Sequence, residues 1–504
     1  MHPLDHTALA LYFLLMIGIG VWSKRKVATT RDFYVAGGRM PWWLLGISHH
    51  MSGYSAVVFT AFAGVAYAYG ITIYIWWAFG IAFGTFLGAL FIAPRWARLR
   101  QRYGFESPLE YLAQRYGKPT QQTLAWAGTA LNLVSNATKF AGMGIVLSVL
   151  SGIPLPWAIV ICGAIGIFYS AIGGMWADVA TDLTQFVVQF VAGVALLVVV
   201  LGELGGLSAI VGIWDRLPAD RTNPFPDEYP LSYVLPYLVI NFLSYSGGTW
   251  NLAQRFMSSP QGSEARKAAF LSSVIYLLWP LVLFFPMWAA PLLLPDVENP
   301  NEVYALMARE YLPAGLVGLV LASVFAHTMA MTTSESNAIS SVITRDVLPA
   351  LSPRLATANP RVRLLAARLV TVGFSVSTVL IALNADRFGG VLTLILEWFG
   401  GLVGPMAIPM LFGMLPLFRR AGQVSAFLSI GGGLATFVVV KYALELSTAQ
   451  ITTYPVLVSL VLYGAAGLVG LLTRRERVEP VDSILEALSA DEPSRPEATT
   501  PAKV

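Results

Sequence analysis

The sequence has little charge and almost no cysteine. Of its 504 residues, 12% are Asp, Glu, Lys or Arg, and Cys162 is the only cysteine. A soluble domain carries about 25% charged residues, so this composition excludes a water-soluble globule. A disulfide framework is excluded because it needs paired cysteines. Extended disorder is excluded because 56% of the residues are hydrophobic.

Long apolar runs account for much of the chain. A helix crosses a bilayer with about 20 apolar residues. Thirteen runs have a suitable length, at 6–23, 41–70, 72–94, 124–150, 153–172, 182–203, 231–252, 268–294, 313–343, 364–384, 389–417, 424–446 and 452–473. The predicted fold class is therefore an all-α polytopic membrane protein with thirteen transmembrane helices. The runs at 41–70, 313–343 and 389–417 exceed the bilayer thickness, which predicts helices that are tilted, broken or extended beyond the lipid. The first two runs also contain serines or glycines, as a helix interrupted at membrane depth would.

The basic residues predict the orientation of the chain. With the N-terminus outside, 26 of the 32 Lys and Arg lie in cytoplasmic segments, four lie outside, and Lys139 and Lys441 lie within spans. This asymmetry predicts a multi-pass protein of the inner membrane with a cytoplasmic C-terminus. It also explains the pI of about 9.0 without a nucleic-acid partner. The first run lacks a basic leader and a cleavage site, so we expect a retained helix.

Several charged or ionisable side chains fall inside the predicted spans. A charge at bilayer depth costs about 2.5–3.5 kcal/mol or more, so each such residue marks a candidate site. The candidates are His49, His50, Lys139, Asp182, His327, Glu335 and Glu397. Some of these side chains could instead reach the membrane surface or hold helices together, and for Lys139 and Lys441 both interpretations stay open. Asp178 falls in a short inner loop, where we expect a solvated side chain.

Two polar stripes indicate a solute or ion path. Asn132, Asn136 and Lys139 share one helix face, and the ninth run holds Thr328, Thr332, Thr333, Ser334, Glu335, Ser336 and Asn337. Hydroxyl and carbonyl oxygens with one carboxylate suit a hard monovalent cation. The histidines lack the spacing of a metal site, but a buried histidine is also a candidate proton carrier.

Six segments, in order along the chain, resemble the sodium:solute symporter family. They are DFYVAGGRMPWW at 32–43, GFESPLEYLAQRYG at 104–117, GGMWADVATDLTQ at 173–185, Gln254-Arg255, the run 322–346 ending in Thr344-Arg345-Asp346, and Gly404-Pro405. The resemblance implies a leucine-transporter-type core of five plus five helices in inverted repeat, at 41–417. One extra helix with a basic loop (1–40) precedes it, and two helices (418–475) and a disordered cytoplasmic tail (476–504) follow.

The same resemblance implies that the first and sixth core helices are broken near the midplane of the membrane, where the substrate binds. The expected break points are Ser52-Gly53 in the run 41–70 and Ser244–Gly248 in the run 231–252. Alternating access would move these helices relative to the flanking scaffold.

Family members bind sodium between main-chain carbonyls of the first core helix and hydroxyls of the eighth. The carbonyl positions correspond to Ser48, Met51 and His327 of this chain, and the hydroxyl positions correspond to Ala330 and Met331. Neither of the last two side chains has a hydroxyl, so this family site lacks two of its oxygen ligands.

A second sodium site of some members corresponds to Asp182, Thr333 and Ser334, which all carry the expected oxygens. We therefore predict a cation site there, with sodium favoured. A proton on Asp182, His50 or His327 is the alternative.

Substrate contacts in the family correspond to Ser52, Ser55, Asn132, Trp250, Asn251 and the neighbourhood of Glu397. Asn132 stands where a sugar-transporting member has asparagine and where a sialic-acid member has the arginine that binds a carboxylate. The resemblance therefore favours a neutral, hydroxyl-rich solute. Lys139 and the nearby tryptophans leave a carboxylate or an amino acid open.

The predicted function is secondary active symport of a small polar organic solute, a sugar or sugar derivative favoured, driven by inward flux of a cation. The alternatives are a proton-coupled symporter of a carboxylate or amino acid, a non-transporting membrane sensor on the same scaffold, and a membrane enzyme that uses the histidines. We expect no enzymatic activity and no cofactor or metal beyond the coupling Na⁺ or H⁺. The expected partners are the solute, the cation and the lipid bilayer, with a monomer sufficient.

Overall fold

A computed structural model describes residues 2–27, 29–352, 354, 359–388, 393–472 and 479–491. Nine helices of this part are long and apolar enough to cross a membrane: Pro3–Ser23, Tyr74–Phe91, Lys118–Ser151, Gly174–Glu203, Gly262–Leu293, Leu316–Leu351, Arg361–Ala382, Gln423–Ala443 and Thr448–Gly470. These helices confirm an all-helical, multi-pass membrane protein. The count of thirteen crossings and the inverted repeat stay predictions.

The main helices are α1 (Pro3–Ser23), α2 (Trp42–Met51), α3 (Ala63–Tyr69), α4 (Gly80–Phe91), α5 (Ala93–Tyr103), α6 (Lys118–Ser151), α7 (Leu155–Glu203), α8 (Leu231–Leu243), α9 (Trp250–Met257), α10 (Gly262–Leu293), α11 (Leu316–Val342), α12 (Pro360–Ala382), α13 (Gly400–Phe412), α14 (Gln423–Val438), α15 (Thr448–Leu472) and α16 (Glu479–Ala487). Helix α11 packs along α7 and also contacts α1, α6 and α12, while α13, α14 and α15 pack on one another. The pair α7–α11 makes the most extensive contact between two helices among the described residues, and the broken helices lie against it.

The predicted break in the run 41–70 is confirmed. Helix α2 ends at Met51, non-helical residues follow, and a π-helical turn, Val58–Phe62, leads into α3. Tyr245 donates its hydroxyl to the Gly53 carbonyl at 2.9 Å, and Tyr276 donates to the His49 carbonyl at 2.9 Å. A side chain at Gly53 would collide with the Tyr276 hydroxyl. Tyrosine hydroxyls thus satisfy carbonyls that the interrupted helix leaves free, as the membrane interior requires.

The second predicted break is confirmed as well. After α8 the chain makes a π-helical turn at Ser244–Gly248, and Thr249 is extended before α9 begins. Gly247 has a φ of 109°, which favours glycine. The indole of Trp96 donates to the Ser246 carbonyl at 3.0 Å and satisfies a carbonyl of this turn.

Helix α7 joins two predicted spans through a kink at Gly174, where φ is 59° and ψ is −178°. The helix resumes directly after the kink, eight residues before the apolar run at 182–203 begins. Asp178 is therefore helical and 2% exposed, so the prediction of a solvated loop residue is wrong. The hydropathy pattern did not predict this helical segment, because Asp178 and Asp182 look like solvent-exposed residues although their carboxylates contact the buried Arg255.

Of the alternatives predicted for the run 313–343, a break is not observed, because α11 is continuous from Leu316 to Val342. Its hydroxyls donate to carbonyls one turn earlier in the same helix. Thr332 donates to the Thr328 carbonyl at 2.7 Å, and Thr333 donates to the Met329 carbonyl at 2.7 Å. Such bonds let Ser and Thr remain inside an unbroken apolar helix.

The tail contains a docked helix, so the prediction of disorder from residue 476 is wrong for residues 479–491. The apolar side chains at i, i+3, i+4 and i+7 are buried: Val481, Ile484, Leu485 and Leu488. Arg98 of α5 donates to the Leu488 carbonyl at 2.8 Å. Asp491 accepts hydrogen bonds from the Gly262 and Ser263 N–H groups, at 2.8 and 3.1 Å, at the start of α10. Residues 492–504, and the start of the predicted run at 389–417, lie outside the described residues.

Candidate functional site

Two aspartates of α7 face the break between α2 and α3. Asp178 and Asp182 are four residues apart and therefore share one helix face. Both side chains are buried, with 2% and 0% exposure. The Ser48 hydroxyl, near the end of α2, donates to an Asp182 carboxylate oxygen at 2.5 Å. The predicted cation ligand Asp182 thus contacts the broken helix directly.

Arg255 lies between the two aspartates. Its Nη2 atom is 3.5 Å from Asp182 and 3.7 Å from Asp178. The side chain is fully buried on α9. Its guanidinium also donates to the Ser52 hydroxyl, at 2.9 Å from Nη2 and 3.1 Å from Nε, and it contacts the Ser334 hydroxyl. One arginine thus connects both broken helices with α7 and α11.

The predicted hydroxyl ligands lie at the same place. Thr333 and Ser334 lie beside the Asp178 carboxylate, and the Ser334 and Ser52 hydroxyl oxygens are 3.1 Å apart. The structure therefore brings Asp182, Thr333 and Ser334 into one cluster, together with Arg255, which the sequence analysis did not include.

The three positions predicted to supply main-chain carbonyls to the cation, Ser48, Met51 and His327, have different surroundings. The Ser48 carbonyl accepts the Ser52 N–H at 2.9 Å, and Met51 is fully buried at the end of α2. The His327 ring packs against Tyr54 and Phe59, with centroids 5.8 and 5.2 Å apart.

The charge of the cluster is unbalanced. Asp178 and Asp182 supply two carboxylates and Arg255 supplies one guanidinium, which leaves a net charge of −1 when all three are ionised. A buried charge without a counter-charge costs several kcal/mol, even after relaxation of the protein. One monovalent cation, or one proton on an aspartate, would remove the imbalance.

The histidines fall into two groups. His49 is hydrogen-bonded through both ring nitrogens, to the Ser272 hydroxyl at 2.7 Å and to the Tyr245 carbonyl at 3.1 Å. Among the described residues, His50 and His327 have no partner for either ring nitrogen. Tyr54 lies between them, 4.6 Å from the His50 ring and 5.8 Å from the His327 ring. A neutral imidazole has one donor and one acceptor, so this pair has the capacity to bind water or a proton.

A cavity of about 60 Å³ lies beside the two breaks. Hydrogen-bonding side chains line it from four helices or their breaks: Ser55, Ser135, Lys139, Asn241, Ser244 and Tyr245. Phe62, Trp77 and Met331 form part of its apolar wall. Polar groups on an aromatic wall suit a small polar solute, but binding sites for organic molecules measure about 300–1,000 Å³, so this cavity must widen to admit one.

The predicted substrate residues are only partly in this wall. Ser55 lines the cavity. Asn251 donates to the Ser52 carbonyl at 3.2 Å and joins the two broken helices. Asn132 donates to a carbonyl one turn earlier in α6 at 2.8 Å, and Trp250 packs its ring against that same turn.

Glu397 lies away from the cavity wall. Its carboxylate accepts a hydrogen bond from Thr448 at 2.8 Å and pairs with Lys441. This pair connects the π-helical turn Leu394–Phe399 with the region of α14 and α15. The substrate role predicted for the neighbourhood of Glu397 stays a prediction.

The sequence analysis missed two features of the site. The pairing of Lys139 with Glu335 was not predicted, although both residues were candidates. Asp178 was expected to be solvated, and Arg255 was not expected to contribute to the site. The sequence did contain a signal for this cluster. Asp178 and Asp182 are four residues apart and share a helix face, and Arg255 follows the glycine-containing helix break at Ser244–Gly248. Among the described residues, no group of three His, Cys, Asp or Glu is placed to bind a metal.

Comparisons with known proteins identify relatives that are symporters and cotransporters. The chain is 26% identical to a sodium/sialic acid symporter of Aliivibrio fischeri over 473 residues, covering 88% of this chain and 89% of that one. It is 25% identical to a sodium/glucose cotransporter of Vibrio parahaemolyticus over 381 residues, covering 68% of each. The solved outward-open structure of a Na⁺-coupled sialic acid symporter shares the fold, with a TM-score of 0.78 at 19% identity. That match covers 93% of this chain and 98% of the solved one.

The family model of the sodium:solute symporter family matches residues 33–433. This match includes both broken helices, the aspartate–arginine cluster and the cavity wall. The protein is a membrane transporter and not an enzyme, and it belongs to the sodium:solute symporter family.

Proposed function

We propose that this protein is a symporter that couples inward Na⁺ flux to the uptake of a small polar organic solute across the inner membrane. A sugar or sugar derivative is the solute class we favour. The orientation is N-terminus outside and C-terminus in the cytoplasm. The observation that carries the proposal is the buried cluster of Asp178, Asp182 and Arg255, which bears a charge of −1 at the break between α2 and α3.

The cluster supplies both the charge and the oxygens that a sodium ion needs. Carboxylate oxygens of Asp182 and hydroxyls of Thr333 and Ser334 are hard ligands that suit such an ion. One Na⁺ would bring the cluster to neutrality. In this conformation the Arg255 guanidinium hydrogen-bonds the Ser52 and Ser334 hydroxyls, so Na⁺ binding to Ser334 requires Arg255 to move.

The position of Arg255 supports coupling to a conformational change. Arg255 lies on α9, which follows one helix break, and Ser52 lies in the other break. Asp182 and Ser334 lie on the closely packed pair α7–α11. Binding of Na⁺ would therefore change contacts between the broken helices and this pair, which alternating access requires.

The driving force is sufficient for accumulation. A membrane potential of 100 mV contributes about 2.3 kcal/mol per charge. A tenfold Na⁺ gradient adds about 1.4 kcal/mol. Together they support roughly 500-fold accumulation of a neutral solute per Na⁺, at about 3.7 kcal/mol.

The solute class is supported by the cavity and by the relatives. Ser55, Ser135, Asn241 and Ser244 offer hydrogen bonds, and Trp77 offers an aromatic face. The relatives include sodium/glucose and sodium/myo-inositol cotransporters and a sodium/sialic acid symporter.

Uptake by proteoliposomes tests the proposal. Vesicles with the purified protein would receive radiolabelled sugars under an inward Na⁺ gradient, with choline as the matched control. We expect saturable accumulation in Na⁺ and none in choline. Absence of accumulation with every sugar would contradict the solute class, and it would also support a non-transporting sensor.

Proton coupling is the second candidate, favoured by His50 and His327, whose ring nitrogens have no partner in the described part of the chain. Equal accumulation in choline under an inward proton gradient would replace Na⁺ with H⁺ in the proposal. Substitution of both histidines by Asn should then abolish uptake.

A further inference from the structure

Lys139 and Glu335 form a buried ion pair at the cavity. Lys139 is on α6 and Glu335 is on α11, and each side chain is 1% exposed. Lys139 belongs to the cavity wall, and Glu335 does not. Lys139 therefore borders the cavity, and its counter-charge lies outside the cavity wall.

The pair makes the solute site electrically neutral. Within the described residues, Lys139 is the one charged side chain in the cavity wall. Its charge is already balanced by Glu335, so a carboxylate on the solute would add an uncompensated negative charge to a buried site. An uncharged solute adds none.

The ammonium still has hydrogen-bonding capacity. An ammonium group has three N–H donors, and apart from Glu335 this one has no partner among the described residues. A buried donor without an acceptor is costly. The hydroxyl or ring oxygen of an uncharged solute is an acceptor that leaves the balance of charge unchanged.

We propose that the Lys139–Glu335 pair selects uncharged, oxygen-rich solutes. Lys139 donates hydrogen bonds to the solute, and Glu335 rejects carboxylates by keeping the site neutral. Discrimination of this kind rests on an element that disfavours the wrong ligand. The inference rests on the proposed symport function and specifies the charge of its solute.

Matched pairs of sugars test this inference. D-Glucose and D-glucuronate, and D-galactose and D-galacturonate, differ only by a carboxylate in place of a CH₂OH group. Apparent affinities would be measured from the rise in melting temperature of the purified full-length protein in NaCl. We expect the wild type to bind the neutral member of a pair at least tenfold more tightly than the acid.

Glu335→Gln should reverse this preference, because it leaves the Lys139 charge for the solute to balance. We expect Glu335→Gln to bind the acid at least tenfold more tightly than the neutral sugar. We also expect the acid to raise the melting temperature of this destabilised variant towards that of the wild type. The double variant Lys139→Met/Glu335→Gln is the matched control. It removes both charges, so the preference for the acid should disappear.

Each contrary outcome has a different meaning. Preference of the wild type for an acid, or an unchanged preference in Glu335→Gln, overturns the inference and leaves symport intact. A sodium-dependent melting temperature with no response to any sugar overturns the inference together with the proposed solute class. Loss of the sodium response itself contradicts the proposed sodium coupling.

Discussion

The two buried charge clusters of the core differ in balance. Asp178, Asp182 and Arg255 carry a net charge of −1, whereas Lys139 and Glu335 carry none. The unbalanced cluster contacts serine hydroxyls near the end of α2, and the balanced pair lies beside the cavity. We propose that the missing counter-charge provides a place for a mobile cation and that the complete pair favours an uncharged solute.

The largest expected effect is that of Asp182→Asn. This change removes one negative charge and leaves Asp178 and Arg255 balanced, so the cluster no longer requires a cation. We expect Na⁺-driven uptake to fall about 100-fold or more, corresponding to about 2.7 kcal/mol. Uptake into proteoliposomes measures it, and normal uptake with unchanged Na⁺ dependence would show that Asp182 is not the cation ligand.

Loss of the positive charge in the same cluster should destabilise the fold. Arg255→Met leaves two buried aspartates facing each other, and removal of one partner of a buried pair costs about 3–5 kcal/mol. Arg255→Lys keeps the positive charge but lacks the planar guanidinium with its several N–H donors, so we expect a clearly smaller loss of stability than for Arg255→Met. Thermal melts of both variants measure the difference, and equal losses would show that geometry matters more than charge here.

The two Lys–Glu pairs allow a test of burial. Lys139→Met leaves Glu335 buried without a counter-charge, and we expect a loss of about 3–5 kcal/mol. Lys441→Met affects a pair whose side chains are 15% and 14% exposed. Partial access to water should limit this loss to about 1 kcal/mol. Chemical unfolding of the two variants checks the order, and a larger effect at Lys441 would contradict it.

The smallest expected effect concerns the docked tail. Burial raises the pKa of the Asp491 carboxyl, but hydrogen bonds from Arg98 and from the Gly262 and Ser263 N–H groups outweigh it and hold the pKa below 3.8. Because the pKa of Asp491 is lower in the docked tail than in a free chain, its ionised carboxylate stabilises docking at pH values above the ordinary aspartate pKa. This stabilisation is lost as the pH falls through the lowered pKa.

Asp491→Asn removes that contribution. We expect faster proteolysis of residues after 472 at neutral pH, with a change in overall stability below about 1 kcal/mol. Ser489→Ala is the matched control in the same segment. Equal cleavage of the wild type and Asp491→Asn would show that the contacts of Asp491 do not hold the tail.

The family resemblance predicted both helix breaks, and in the run 41–70 serines and glycines inside an apolar segment gave an additional local signal. It also brought Asp182, Thr333 and Ser334 together, since family resemblance aligns positions on helices. The sequence analysis missed Arg255 and Asp178, because hydropathy assigns charged residues near span ends to water. Only tertiary packing shows that these two residues neutralise each other.

The tail was missed for a related reason. Its composition is typical of disorder, while the four apolar positions between Val481 and Leu488 form a short helical pattern. A helix of nine residues gains its stability from the surface on which it docks. The local sequence pattern of the tail contains no information about that surface, so the docked helix could not be predicted from it.

Sodium binding to the purified protein tests the central claim most directly. Equilibrium binding of ²²Na⁺ would be measured for the wild type and Asp182→Asn at several pH values, with choline maintaining ionic strength. The account predicts about one Na⁺ per wild-type protein, as the net charge of the cluster requires, and none for the variant. Unchanged binding by the variant, or no binding by a wild type whose stability depends on pH instead, would contradict it.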